Sequence, residues 1–370
     1  MKKLLTIITV LIALLNISAL TVSAEEYEYD FSEVYGSLSD EAREHMLSIG
    51  ADSADANALL NLSFDNIMSE IEGIAADSSK SPLSGLISII ALLLICSLLS
   101  AYKSSLSPQI GEMLNTASAL CICCSVLPPS IGAVNTACDV IVNASNLLLA
   151  FVPIAGTLMV TSGQAFGSAA YCASVIAAGQ GVAQTVQKII VPFLNMFLGI
   201  SISGGLSPGI KLNGFTSFIS KAFKWILAFV MTIFTSVLGI KQVLAGSLDN
   251  VSGRTVRFAL SSFVPVVGSA LSEAYRTVSG SVSLLKSGLG VFVVIAVGVT
   301  FLPIIINCLL WSLSLKTGKA AAEVMGLNQS ALLLDGIGSV FSVLIAVLLS
   351  IAAVFIISAA MVFLIGGGGV

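Results

Sequence analysis

The chain is 370 residues long, 56% apolar and only 10% charged, with a mean hydropathy of +1.02. Soluble domains carry roughly 25% charged residues, so this chain lacks the polar surface to cover a globule in water. That excludes a nucleic-acid binder, which needs a basic face, and a disordered protein, which needs low hydrophobicity. It leaves an all-α, polytopic helical membrane protein.

The net charge of −4 conceals an asymmetry. Residues 25–80 hold 14 of the 20 acids and two bases, Arg43 and Lys80, whereas residues 81–370 hold 12 bases and six acids. A short acidic segment therefore precedes a long basic membrane domain.

Residues 1–24 read as a signal peptide: Lys2 and Lys3 form the positive start, Leu4 to Leu15 the apolar run, and Val22-Ser23-Ala24 the small-residue cleavage site. Residues 25–80 then form a small extracytoplasmic helical segment. Ser37 or Ser39 caps a helix through Leu47 that Gly50 ends. Ser63 caps a second, on which Phe64, Ile67, Met68, Ile71 and Ile74 form one apolar stripe. A segment this small cannot stand alone, so it packs on the membrane domain, lies on the bilayer or meets a partner. His45, the only histidine, reads as a solvated helix residue.

Residues 81–370 form the transmembrane domain. About eight spans, within a range of six to nine, are expected at 82–102, 114–134, 140–160, 166–186, 189–207, 225–244, 288–315 and 337–365. Residues 258–280, with Pro265 and Gly268 at the centre and Glu273 and Arg276 beyond, read as a re-entrant or interfacial element. Lysines fix the orientation: with residue 80 outside, Lys103, Lys211, Lys221, Lys224, Lys316 and Lys319 all fall inside. Counting 258–280 as a full span would put Lys316 and Lys319 outside.

Gly163 and Gly167, and Gly205 and Gly209, form GxxxG pairs, which let helices approach closely. This favours tight packing and allows a homo-oligomer. Pro128-Pro129, Pro153, Pro192 and Pro303 interrupt apolar stretches and remove backbone hydrogen bonds. Broken helices are a feature of transporters; the plainer reading is a packing kink. No convincing internal repeat is visible, although Phe151-Val-Pro153-Ile-Ala-Gly156 echoes Phe263-Val-Pro265-Val-Val-Gly268; related by a two-fold axis, the two would be gate-like elements.

No enzyme signature is present. There is no histidine after position 45 for a metalloprotease or serine protease, and no GxxxxGK[ST] loop. Ser283-Leu-Leu-Lys286 and Lys316-Thr-Gly318 mimic penicillin-binding motifs by coincidence. The seven cysteines lack metal-ligand spacing and read as packing residues, with Cys138 near the outer surface. No cofactor or metal is expected. Asp139, Asp249, Glu273, Glu323 and Asp335 fall at expected span ends or loops, so no midplane carboxylate marks a proton-coupled carrier.

The stretch Arg254-Thr-Val-Arg257-Phe, Ser262-Phe-Val-Pro265-Val-Val-Gly268, Glu273-Ala-Tyr-Arg276 and Ser281-Val-Ser-Leu-Leu-Lys286-Ser-Gly-Leu-Gly290, followed by a long span with Pro303, resembles the stage III sporulation protein AE family of endospore-forming Firmicutes. One departure is the Ala320 to Gly326 stretch, which lacks a proline that this family often carries there. The resemblance implies a component of the mother-cell to forespore channel complex, in the mother-cell membrane around the forespore. It implies as partners the other stage III sporulation A-operon membrane proteins and stage II sporulation protein Q across the intermembrane space. Late forespore gene expression would depend on it. Arg254, Arg257, Pro265, Gly268, Glu273, Arg276 and Lys286 are then candidate gate residues, and Pro153, Gly156, Gly163, Gly167 and Pro303 candidate helix-break or packing residues. A stand-alone carrier for a small solute and a non-conducting scaffold are the alternatives.

Overall fold

In a computed structural model of the chain, residues 35–51, 64–101, 108–161, 164–206, 213–263 and 268–366 are described. The signal peptide, Ser63, Lys103, Gly163, Gly209, Lys211 and Pro265 lie outside them, as does all of the separate unit Met1–Ser32. The elements below belong to the unit Glu33–Val370.

All described elements are helical. A short helix, α1 (Asp40–Ser48), precedes six long ones: α2 (Phe64–Ala101), α3 (Pro108–Thr161), α4 (Ala165–Leu206), α5 (Asn213–Phe263), α6 (Gly268–Val324) and α7 (Asn328–Gly366). Each of the six contains a stretch long and apolar enough to cross a membrane, the lower end of the expected range.

The count falls to six because two expected pairs of spans are each one helix. Spans 114–134 and 140–160 merge in α3, and 166–186 and 189–207 merge in α4. The two mergers cancel in parity, so the expected sides of the connections after α4 are unchanged, while that of the short α3–α4 connection is reversed. Asp139, expected near a span end, consequently sits within α3. At 54 residues α3 is about 80 Å long. Even tilted by about 40° it outreaches a hydrocarbon layer of ~30 Å, so part of it stands outside the apolar zone.

The prolines do not break these helices. Pro82, Pro128, Pro129, Pro153 and Pro303 all lie within continuous helix. Pro192 follows a five-residue π-helical stretch, Val186–Ile190, the usual local adjustment where the ladder is disturbed. At Pro82 the repair is explicit. The missing N–H would have bonded the carbonyl of Ser78, and Asn307 Nδ2 of α6 donates to that oxygen at 3.1 Å instead. The second acidic-segment helix therefore does not end before the first span; it continues into it as α2.

Local signals set the ends. Ser39 caps α1, its Oγ accepting from the N–H of Ala42. Gly50, at φ 82°, ends it, with Gly50 N–H on Leu47 O and Ala51 N–H on Met46 O. The same closure joins α6 to α7: Gly326 adopts φ 74°, Gly326 N–H donates to Glu323 O, and Leu327 N–H to Ala322 O. This glycine turn supplies the helix stop.

Helices α4 and α7 run antiparallel, as do α3 and α4. Gly205 of α4 meets Leu333 of α7, and Gly336 of α7 meets Ser201 of α4. Gly156 of α3 lies against Ser168 and Cys172 of α4. By contrast α2 and α6 run parallel, Gly85 meeting Trp311 and Ile89 meeting Gly318. The α6–α7 hairpin is the centre of the bundle, with Phe301, Trp311, Phe341 and Phe355 buried between its arms.

Residues 258–280 comprise the end of α5, four residues outside the described set, and the start of α6. Phe151–Gly156 is helical throughout, whereas Phe263 ends α5 and Gly268 begins α6. The two echoing segments thus occupy different positions in their helices.

Candidate functional site

Polar residues gather at two levels along α6. The first is a cleft of about 490 Å³ between α1, α2, α3 and α6. Its polar lining includes His45, Asp77, Thr136, Asn143, Thr300 and Asn307. Helix α1 is held over it by His45, whose Nδ1 pairs with Glu70 Oε1 of α2 at 2.5 Å. His45 is therefore not the solvated residue the sequence suggests; its side chain is largely covered by this contact. Pro303 lines the cleft, and its carbonyl accepts from Ser78 Oγ at 3.3 Å. Together with the Asn307–Ser78 bond, this ties α2 to α6 through backbone oxygens that lipid cannot satisfy.

Trp311 lies at the edge of this cleft. It is buried, stacks on Phe341 at a centroid separation of 6.2 Å, and packs against Gly85 of α2 so closely that a methyl group there would meet its ring at 2.3 Å. Ser314 Oγ, also buried, donates to Pro82 O at 3.1 Å. These contacts make a closely packed layer across α2, α6 and α7.

Five residues further along α6, roughly 7.5 Å, Lys316 enters a second cavity of about 210 Å³. Its other lining comes from α5 (Ser217, Ser220, Lys221, Lys224) and α7 (Asp335, Ser339, Ser342). Lys224 Nζ donates to Ser342 Oγ. Lys319 pairs with Asp335 at 2.9 Å and approaches Glu323 at 3.9 Å. Three of the lysines used above only to orient the chain, Lys221 and Lys224 of α5 and Lys316 of α6, thus come together. The signal was readable as spacing: Ser217, Ser220, Lys221 and Lys224 stand at i, i+3, i+4 and i+7, and Asp335, Ser339 and Ser342 at i, i+4 and i+7. Each is one polar stripe on an apolar helix.

The residues singled out from sequence fall in three places. Arg254 and Arg257 lie on α5, and Gly268, Glu273, Arg276 and Lys286 on α6, on either side of the α5–α6 connection that contains Pro265. Gly156 and Gly167 are buried in the α3–α4 hairpin, where Ser168 Oγ donates to Gly156 O at 2.9 Å; Pro153 is exposed on α3. Pro303 alone lines the cleft. Cys138 is buried within α3, which continues through the position where a loop was expected.

The family described as stage III sporulation protein AE matches residues 54–366. A curated relative, stage III sporulation protein AE of Bacillus subtilis (strain 168), is 24% identical over 235 residues. That alignment covers 63% of this chain and 59% of the relative, so the chain spans about three fifths of the relative's length. No solved structure matches. With the family matched across nearly all of the helical bundle, the chain belongs to the stage III sporulation protein AE family, as a multi-pass membrane component of sporulation.

Proposed function

We propose that this protein is the membrane core of a channel or secretion complex that links mother cell and forespore. The observation that carries the reading is the stacking along α6 of a polar cleft, a packed Trp311–Phe341 layer and a lysine-lined cavity. Polar groups in a membrane bundle are costly and face its interior or a watery path. Two such levels with an aromatic partition between them suit a closed, gated passage.

In this reading the protein sits in the mother-cell membrane around the forespore. The lysine end faces the mother-cell cytoplasm, in keeping with the rule that cytoplasmic ends are basic. The end carrying α1 and the acidic residues then faces the intermembrane space. Its partners are the other stage III sporulation A-operon membrane proteins, with stage II sporulation protein Q opposite. The α5–α6 connection, with Arg254, Arg257, Pro265, Gly268, Glu273, Arg276 and Lys286 around it, is the gate or docking element on that side.

Deletion of the gene in its own host, followed with a reporter of late forespore transcription, tests this. The expected result is arrest after engulfment, a collapsing forespore and a silent reporter, restored by the wild-type gene. Normal spores from the deletion strain would reject the proposal.

A further inference from the structure

We infer that the lysine cavity between α5, α6 and α7 is a binding site for a phosphate group, carried either by a soluble phosphate or by an anionic phospholipid headgroup. Three ammonium groups, those of Lys221, Lys224 and Lys316, belong to its lining, and one carboxylate, that of Asp335. That carboxylate is already engaged by Lys319 at 2.9 Å. Among the described residues, no carboxylate comes within 4.0 Å of Lys221, Lys224 or Lys316. Lys224 of α5 and Lys316 of α6 line the same cavity. Like charges held together without a counter-ion disfavour the arrangement, and an anion between them removes the repulsion.

The rest of the lining matches a phosphate in particular. Ser217, Ser220, Ser339 and Ser342 bring hydroxyls from two helices, and Gly338 leaves room on α7. Phosphate oxygens accept several hydrogen bonds at once, and lysine is a compact charge suited to them. The placement favours access from the membrane side. Helix α5 is peripheral, with Phe215, Phe218, Trp225, Ile226 and Phe229 exposed on either side of the two lysines. A lipid lying along that apolar face would bring its headgroup to the cavity mouth. A basic pocket between membrane helices on a cytoplasmic side is a recognised way to hold anionic headgroups.

The test uses the isolated full-length protein, so it stands apart from the sporulation reading: binding can fail while the deletion phenotype holds, and the reverse. Thermal unfolding in detergent is followed against inorganic phosphate, with sodium chloride at matched ionic strength as control. Separately, delipidated protein is offered vesicles of phosphatidylglycerol or phosphatidylcholine, and retained lipid is counted by native mass spectrometry. Lys224→Gln is compared with Lys241→Gln, which removes the same charge from an exposed site on the same helix. Lys316→Gln serves as a second cavity variant should Lys224→Gln fold poorly. A saturable phosphate response, weakened at least tenfold by Lys224→Gln or Lys316→Gln but not by Lys241→Gln, supports a soluble phosphate. Selective retention of phosphatidylglycerol with the same dependence on the cavity lysines supports the headgroup. Absence of both responses, or responses untouched by both cavity variants, overturns the site.

Discussion

Helices α5 and α7 both contain a stretch apolar enough to cross a membrane, yet they live in different surroundings. Of the most apolar 18 residues, 56% are buried in α7 and 6% in α5. Helix α7 is also the more apolar of the two over that stretch, but apolarity alone does not bury it, because lipid is as apolar as leucine and gives no reason to hide one helix behind another. What separates them is shape and polarity. Helix α7 carries Gly336 and Gly338 where neighbours press close, and Asp335, Ser339 and Ser342 where they hydrogen-bond or line a cavity. Helix α5 carries large apolar side chains around most of its circumference and meets the bundle chiefly near Phe223 and Lys224, where Phe223 stacks on Phe193 at 4.4 Å. In this protein small and polar residues decide which helix is central.

The sharpest way to break that contrast is to fill the α4–α7 seam. A Cβ on Gly205 would stand 2.5 Å from Leu333 Cβ and 2.6 Å from its Cα. Since the obstruction includes backbone, no rotamer change relieves it. Gly205→Ala is expected to cost about 1–3 kcal/mol, seen as a lowered unfolding midpoint in detergent. Gly336→Ala, whose new methyl would meet Ser201 at 3.0 Å, should cost less but move the same way. An unchanged midpoint for Gly205→Ala would mean that the seam is not as close as described.

A smaller effect tests the polar tie at the cleft. Asn307→Leu removes the donor that serves the Ser78 carbonyl freed by Pro82. Leaving that carbonyl unpaired should cost on the order of 1–2 kcal/mol. Pro82→Ala restores the backbone N–H that belongs there, so the double variant should recover part of the loss, a coupling of roughly 1 kcal/mol. Simple additivity of the two changes would show that Asn307 acts in some other way.

Much of this fold could be read from residues, and the failures have a common cause. Caps are local, so Ser39 and Gly50 marked α1 correctly. The GxxxG reading found a real close approach at Gly205. How a helix accommodates a proline is not local: at Pro82 the freed carbonyl finds its donor in Asn307, 229 residues from Ser78. The same long-range dependence hid the lysine cavity. Lys224 and Ser342 are 118 residues apart, and only the two polar stripes at helical spacing hinted that they face one another. His45 was misread for the same reason, since nothing near it in sequence announces Glu70.

The smallest effect belongs to the periphery and completes the contrast. Gly239 on α5 is exposed, and a Cβ there would meet nothing within 4 Å. Gly239→Ala adds the same methyl group as Gly205→Ala, to a helix of similar character, with no neighbour to displace. Helix propensity favours alanine by up to about 1 kcal/mol in water, and an exposed site far from any contact usually responds within ±0.5 kcal/mol. The unfolding midpoint of Gly239→Ala should therefore stay level or rise slightly while that of Gly205→Ala falls. A fall of similar size at both positions would mean that α5 is covered by something in the folded protein, such as a second copy, and that its exposed face is an interface rather than a surface for lipid.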